Sequence, residues 1–184
     1  MKKIGITGVG KLGLCFALNL EYVGYEVIGV DIEPGYIESL NKKVFQSNEP
    51  QVTSYLKKSR RFFVSGSISE IINDEIDLIF VMVATPSLSD GSYDHSQIER
   101  IAQELQSFGA REKTIDLVLG CTVMPGYSSD LQDRMKEFNY RISYNPEFIA
   151  QGNIIEDQQK PDQLLIGEAD KEAGDKIEAV FSKI

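Results

Sequence analysis

The chain has 184 residues, of which 42% are apolar, so it can bury a full core as one domain, with room for a short extension. Its formal net charge of −9, without a cluster of basic and aromatic residues, argues against a nucleic-acid partner. No stretch approaches the roughly 20 apolar residues of a membrane span, no signal-peptide pattern follows Met1, and the cysteines are few and far apart, so we expect a cytoplasmic globular protein without a membrane partner.

The predicted elements alternate between strands and helices. Apolar runs predict strands at 3–7, 25–30, 61–64, 78–83, 115–119 and 140–143, and helical periodicity predicts helices at 11–22, 35–41, 51–58, 69–72, 95–108 and 128–137. A further strand is expected at 164–167 and a last helix at 169–184. This order is typical of an α/β fold of the Rossmann type, a doubly wound and mainly parallel sheet of about six strands with helices on both faces.

A glycine-rich turn follows the first predicted strand and opens a helix. It consists of Gly8-Val9-Gly10-Lys11-Leu12-Gly13. Glycines at these positions permit a tight turn, a close approach of backbone to a pyrophosphate and close packing of helix on strand, while the first N–H groups of the helix attract phosphate. Such turns also occur as bare structural corners, but the strand before it and an acid 18 positions after Gly13 favour a dinucleotide-binding unit.

Asp31 ends the second predicted strand. A carboxylate there can accept hydrogen bonds from both ribose hydroxyls and would repel a 2′-phosphate, so it favours NAD over NADP. No arginine follows within residues 32–36, and Glu33 adds negative charge. The alternative is that Asp31 serves only as a turn or N-cap residue.

Three further loops come at the ends of later strands, at residues 84–87, 120–126 and 145–148. The carboxyl ends of parallel strands meet at one edge, where such sheets bind ligands, so we expect all three loops to lie near the cofactor. Thr85 and Thr122 can each offer a hydroxyl and a backbone N–H, although Thr85 could be only a turn residue. Glu147 could hold a water, act as a base or bind sugar hydroxyls.

Other conspicuous residues are expected to have structural roles. The basic run at 57–61 is interpreted as a solvated helix end rather than an anion site. Cys15 and Cys121 are expected to be packed side chains rather than nucleophiles. His95 is expected to begin a helix in a solvent-facing loop. No cluster suggests a metal, and residues 90–94 lack the full spacing of a calcium loop.

Together, the segments GVGKLGL, VATPSLSDGSYD, CTVMPG and NPEF resemble the N-terminal NAD-binding domain of the UDP-glucose and GDP-mannose 6-dehydrogenase family, over nearly the whole chain. Members oxidise the primary alcohol of a nucleotide sugar twice, to the carboxylate, reducing two NAD molecules in succession. The resemblance implies catalytic roles for Thr122, which helps to position a water, and for Glu147. It implies NAD contacts from Gly8, Val9, Gly10, Lys11, Leu12, Gly13, Asp31, Ile32, Val83, Ala84, Thr85, Pro86, Cys121 and Thr122, and substrate contacts from Glu147, Phe148 and Gln151.

The sequence departs from the family pattern at Tyr36 and Gln151, among other positions. Tyr36 stands where many members carry a basic residue beside the ribose, and Gln151 stands where many carry a second glutamate. An amide cannot act as a carboxylate base, so a role for Gln151 that requires ionisation is in doubt, although it can still form hydrogen bonds.

The family's catalytic cysteine, in a glycine-rich segment beyond the NAD-binding domain, has no counterpart in the chain. We therefore expect residues 1–184 to be an NAD-binding domain without the central dimerisation helix and the nucleotide-sugar domain, inactive alone, and part of a homodimer in its full-length form. Two alternatives stay open: a non-enzymatic NAD-binding or interaction module, and a dehydrogenase of another Rossmann family.

Overall fold

Six parallel strands form one sheet in the computed structural model, which describes residues 2–184. The strands are β1 (Lys3–Thr7), β2 (Glu26–Val30), β3 (Phe62–Ser65), β4 (Leu78–Val81), β5 (Ile115–Leu119) and β6 (Tyr140–Tyr144). Their spatial order is β3-β2-β1-β4-β5-β6, and each neighbouring pair is parallel. The predicted fold class and all six main strands are confirmed. The order of the strands reverses between β1 and β4, which is where open sheets of this kind form a ligand-binding crevice.

Seven helices cover the sheet within the described residues. They are α1 (Lys11–Tyr22), α2 (Pro34–Asn41), α3 (Val52–Lys58), α4 (Ser96–Ser107), α5 (Tyr127–Met135), α6 (Ile154–Gln159) and α7 (Lys171–Phe181), with 3₁₀ turns at Ile68–Ile71 and Lys136–Phe138. Between residues 2 and 184, no helix combines the length and the apolarity that crossing a bilayer requires.

Two apolar clusters form the core, one on each face of the sheet. On one face, α1, α6 and α7 pack on the central strands, where Phe16 meets Phe80 edge-on at 4.7 Å between ring centroids. On the other face, Ile98, Leu105 and Leu131 of α4 and α5 are buried. Strands covered on both faces are mostly apolar, which explains the apolar runs that predict them.

The structure differs from the predicted elements at three places. The segment at 69–72 is a 3₁₀ turn shifted by one residue, at Ile68–Ile71. The predicted strand at 164–167 is wrong: Gly167 and Tyr144 form one isolated antiparallel bridge, and the carbonyl of Leu165 accepts instead from the side chain of Asn145, at 2.8 Å. Helix α6 was not predicted, because six residues are too few to show helical periodicity.

Candidate functional site

The three glycines of the first turn differ in whether the fold leaves room for a side chain at their position. Gly8 has φ of +82°, and a Cβ there would lie 2.8 Å from the carbonyl oxygen of Met82. A Cβ on Gly13 would lie 2.1 Å from the carbonyl oxygen of Gly8, so only glycine lets α1 start this close to β1. Gly10 has an ordinary φ of −62° and nothing within 4 Å of a Cβ position. The first and third glycines are therefore required by the fold, whereas the second leaves an open space.

The first turn of α1 presents unpartnered N–H groups to that space. Gly10 is the N-cap residue, and no side chain caps the helix. Within residues 2–184, no acceptor bonds the N–H groups of Lys11, Leu12 or Gly13. A helix N-terminus in this state carries a partial positive charge and binds phosphate oxygens.

Asp31 lies beside this turn, and part of its carboxylate is hydrogen-bonded to it. Its Oδ2 accepts from Val9 N–H at 3.2 Å, and its Oδ1 accepts from Ile32 N–H at 2.8 Å and from Glu33 N–H at 3.3 Å. A carboxylate has about four accepting positions, so it can hold the turn and still accept from a ligand hydroxyl. Glu33, expected to add negative charge here, also caps α2 by accepting from Gly35 and Tyr36 N–H.

Tyr36, at the position where the family often has a basic residue, fastens α2 to the glycine turn. Its hydroxyl donates to the carbonyl oxygen of Val9 at 2.8 Å, and its ring meets Phe45 edge-on. Burial raises the pKa of the Tyr36 hydroxyl well above its usual range, so it stays a neutral donor.

A crevice of about 120 Å³ opens at the carboxyl edge of β1 and β2. The predicted residues Gly8, Asp31, Ile32 and Val83 line it. The hydroxyl of Thr7, buried in its wall, has no hydrogen-bond partner among residues 2–184. A buried, unpaired hydroxyl is what a polar ligand would satisfy, so the crevice is a candidate site for the polar part of a ligand.

The sequence analysis did not identify two thirds of the residues that line the crevice. The remaining lining residues are Thr7, Val30, Gly66, Ile68, Gln97, Arg100, Ile101 and Glu104, four of them from α4. A helix that follows β4 by a right-handed crossover must lie over this edge, which was the available signal. Which of its residues face the crevice depends on how the helix is rotated, and an isolated sequence does not specify that rotation.

The loop after β4 is held by its own short hairpin. Thr85 is half-buried, and Ala84 and Pro86 are exposed. The amide of Asp94 donates to the carbonyl of Pro86 at 2.9 Å, and Ser87 bridges to Tyr93. The segment at 90–94 thus closes a turn that keeps Thr85 at the end of β4.

His95 corrects one prediction, because it supports the loop after β5 instead of facing solvent. Its Nε2 accepts from Met124 N–H at 3.3 Å, and its ring lies 3.9 Å from the ring of Tyr127. Thr122, two residues before Met124 in this loop, is exposed. Cys121 is buried, as expected. Burial raises the pKa of the Cys121 thiol to about 11, so the thiol is neutral.

Glu147, after β6, is held by a chain of amides that reaches back to α1. Gln158 donates to its Oε2 at 3.0 Å, and Asn19 donates to Oε1 of Gln158 at 3.1 Å. Burial raises the pKa of the Glu147 carboxyl to about 7, partly offset by the Gln158 bond. A carboxyl with this pKa exchanges its proton near neutral pH, as a general acid or base must.

Lys11 connects the glycine turn with the segment after Glu147. Its Nζ donates to Oε1 of Gln151 at 3.3 Å and lies 3.7 Å from the buried carboxylate of Glu49. Glu49 accepts in turn from Gly152 N–H, at 2.9 and 3.0 Å to its two oxygens. The sequence analysis did not identify Glu49, because this residue lies in a long loop outside the segments that resemble the family.

The predicted residues are therefore spread along one edge of the sheet. Asp31, Gly8, Val83, Cys121 and Glu147 follow β2, β1, β4, β5 and β6, and neighbouring strands are about 4.8 Å apart. Thr122 and Glu147 lie beyond the crevice that holds Asp31, and Phe148, 53% exposed, faces solvent beside Glu147. An elongated ligand along this edge could reach both ends.

Comparisons with known proteins identify the family of the chain. The sequence model of the "UDP-glucose/GDP-mannose dehydrogenase family, NAD binding domain" matches residues 2–184. GDP-mannose 6-dehydrogenase from Pseudomonas aeruginosa is 30% identical, over 99% of this chain and 44% of its own length. UDP-glucose 6-dehydrogenase from Rickettsia bellii is 29% identical, over 97% of this chain and 42% of its own length.

Solved structures give the same result. A ternary complex of GDP-mannose dehydrogenase from Pseudomonas aeruginosa superposes with a TM-score of 0.90 at 27% identity, covering 100% of this chain and 44% of the other. A UDP-glucose dehydrogenase from Pyrobaculum islandicum has a TM-score of 0.87 at 28% identity, covering 99% and 44%. The chain spans less than half the length of these relatives.

Proposed function

Because this chain belongs to the UDP-glucose/GDP-mannose dehydrogenase family and is its NAD-binding domain, we propose that it serves a larger enzyme that oxidises the primary alcohol of a UDP- or GDP-linked sugar to the carboxylate. The observation that carries the proposal is the alignment of Asp31, the glycine turn, Thr122 and Glu147 along one edge of the sheet.

The cofactor-binding roles are assigned to the following parts of the edge. The free N–H groups at the start of α1 would hold the pyrophosphate, and the open space at Gly10 would admit it. Asp31 would accept from the adenosine ribose inside the crevice. The loops at 83–86 and 121–122 would line the remaining length of NAD, which when bound supplies the hydride acceptor for alcohol oxidation.

The proton chemistry is assigned to Glu147 and Thr122. Glu147, with its raised pKa of about 7, would hold or release a proton beside the substrate, and Thr122 would orient a water through its hydroxyl. Phe148 and Gln151 would contact the substrate. Gln151 would act only through hydrogen bonds, and Lys11, already bonded to it, fixes its carbonyl oxygen.

The whole protein is proposed to be a cytoplasmic homodimer in which residues 1–184 are followed by a dimerisation helix and a nucleotide-sugar domain. That further part would supply the nucleophile for the second oxidation. Neither thiol of this chain suits that role, because both are buried and have raised pKa values.

Thermal unfolding with and without NAD tests the cofactor site. We expect about 1 mM NAD to raise the Tm, and we expect Asp31→Ala to weaken the binding of NAD by about tenfold or more, because a charged hydrogen-bond acceptor is lost. Asp74→Ala removes an exposed acid elsewhere and should leave affinity unchanged. Equal affinity in both variants, or no rise in Tm with the unmodified chain, contradicts the assignment.

One observation favours a second candidate, a non-enzymatic NAD-binding module. Gln151 cannot ionise, and its carbonyl oxygen is occupied by Lys11. Incubation of the full-length gene product with NAD and either UDP-glucose or GDP-mannose decides between the two candidates. Formation of NADH with either sugar supports the enzyme, and NAD binding without turnover of any nucleotide sugar supports the module.

A further inference from the structure

A second cleft, of about 390 Å³, lies at the opposite edge of the sheet from the NAD crevice. It is formed where α1 and α3 end and the chain enters β3, and it contains Lys58 to Arg61 of the basic run. Helix α1 has 12 residues, so its last turn is about 18 Å from the turn that faces the pyrophosphate. A ligand in this cleft would not touch the cofactor site.

Two tyrosines form an aromatic wall of this cleft. Tyr22, at the end of α1, stacks on Tyr55 of α3 with 5.5 Å between ring centroids and 13° between ring planes. Tyr22 is 72% exposed, which is unusual for a large aromatic side chain. The stacked pair offers a flat π-face on which a further aromatic ring can stack.

The cations of the cleft are free to meet an anion. Lys58 and Arg60 have no carboxylate within 4.0 Å anywhere in residues 2–184. Nη1 of Arg60 donates to the carbonyl of Ser59 at 3.4 Å, which leaves the other N–H groups of its guanidinium for an anion. The acid in the wall, Glu21, is turned toward the backbone and accepts from Arg60 and Arg61 N–H at 2.6 and 2.5 Å. The guanidinium of Arg61 donates to the backbone carbonyls of Gly24 and Glu21 at the end of α1. Lys58 and Arg60 therefore supply the available positive charge in a chain whose net charge is −9.

The hydroxyl of Ser59 is independent evidence that the cleft binds a polar ligand. It lines the cleft and is 4% exposed, yet its hydroxyl has no hydrogen-bond partner within the described part of the chain. Leaving a buried hydroxyl unpaired costs free energy, so such a group usually pairs with a ligand or an ordered water.

We infer that this cleft binds a nucleoside phosphate, with the base stacked on Tyr22 and the phosphate held by Lys58 and Arg60. The volume is within the lower range of small-molecule sites, which suits one nucleotide. The acidic surface elsewhere disfavours a long polyanion such as a nucleic acid. This inference does not depend on the enzyme's activity.

Isothermal titration with AMP and with UMP, carried out without NAD on the Asp31→Ala variant, tests the inference because that variant weakens the binding of either nucleotide in the crevice at Asp31. We expect saturable binding that the double variant Lys58→Gln/Arg60→Gln weakens about tenfold or more, since charge-assisted hydrogen bonds are lost. Tyr22→Leu, at a solvent-exposed position, should also weaken binding about tenfold by removing the stacking surface. Lys57→Gln is the matched control: it neutralises a neighbouring exposed lysine outside the cleft and should change nothing.

Amide chemical shifts locate the nucleotide. Changes confined to residues 18–22 and 55–61 support the inference. No saturation below about 5 mM, an equal loss in Lys57→Gln, or binding of adenosine or inorganic phosphate alone as tight as that of AMP would overturn it. Shifts at residues 8–13 alone would also overturn it, because they would place the nucleotide in the cofactor crevice.

Discussion

Gln158 donates from Nε2 to Oε2 of Glu147 at 3.0 Å, and this bond ties the proposed proton-transfer group to α6. Gln158 is itself held by Asn19, a fully buried polar residue of α1. The same helix thus has its N-terminus at the proposed pyrophosphate position and fixes the carboxyl at the other end of the same sheet edge. This arrangement keeps Glu147 in a partly desolvated position where its proton affinity is raised.

The pH dependence of stability should report this burial. The Glu147 pKa is raised from 4.5 to about 7 in the folded chain, so the folded state binds the proton more tightly than the unfolded state. The contribution of protonated Glu147 to the free energy of unfolding is fully present below pH 4.5. It is lost as the pH rises through about 7, by up to about 3 kcal/mol at 1.36 kcal/mol per pH unit.

Glu147→Gln tests this, because it keeps an acceptor for Gln158 but does not titrate. In urea unfolding between pH 5 and pH 8, the variant should therefore gain stability relative to the unmodified chain as the pH rises. The exposed Glu156→Gln serves as control, and a constant difference between Glu147→Gln and the unmodified chain would contradict the burial.

Two glycine variants should separate folding from cofactor binding. Gly13→Ala places a Cβ 2.1 Å from the Gly8 carbonyl oxygen and should lower the free energy of unfolding by about 2 kcal/mol or more. Gly10→Ala meets nothing within 4 Å and should change it by less than about 0.5 kcal/mol, while it fills the space proposed for the pyrophosphate and so weakens NAD binding. Urea unfolding and NAD titration of both variants check this. Full NAD affinity in Gly10→Ala would show that the pyrophosphate lies elsewhere.

His95 should stabilise the loop that carries Thr122. His95→Ala removes the acceptor of the Met124 N–H, a bond of 3.3 Å, and we expect the Met124 amide to exchange with solvent about fivefold faster, for a loss of about 1 kcal/mol. Hydrogen exchange followed by NMR measures this directly. Gln103→Ala, on the exposed face of the same helix, is the control. An unchanged rate at Met124 would mean that the Pro125 turn alone holds the loop.

Both thiols should be inert in the folded chain. Burial, then the nearby carboxylates of Glu49 and Glu147, raise the pKa of Cys15 to about 12, and burial raises that of Cys121 to about 11. Thiolate is the reactive form, so we expect negligible labelling by a thiol reagent at neutral pH. In denaturant, the two cysteines should both react. Rapid labelling of the native chain would contradict the burial of these side chains.

Prediction from the sequence was correct for features that depend on residues close together in the chain. The six apolar runs became six strands, and Gly8, Gly13 and Asp31 lie where the turn pattern places them. It failed at 164–167, because a side-chain bond from Asn145 replaces the backbone ladder there, and at His95, whose partners lie 29 and 32 positions away.

The sequence by itself determined the alternation of elements, and with it the parallel sheet and the edge at which ligands bind, because run lengths, glycine sterics and the handedness of crossovers act locally. Only the tertiary structure decided that α4 supplies a third of the residues lining the crevice, that Glu147 has a raised pKa, and that Tyr22 and Tyr55 stack beside Lys58 and Arg60. These properties depend on desolvation and on contacts between residues far apart in the chain, and such contacts exist only once the core has formed.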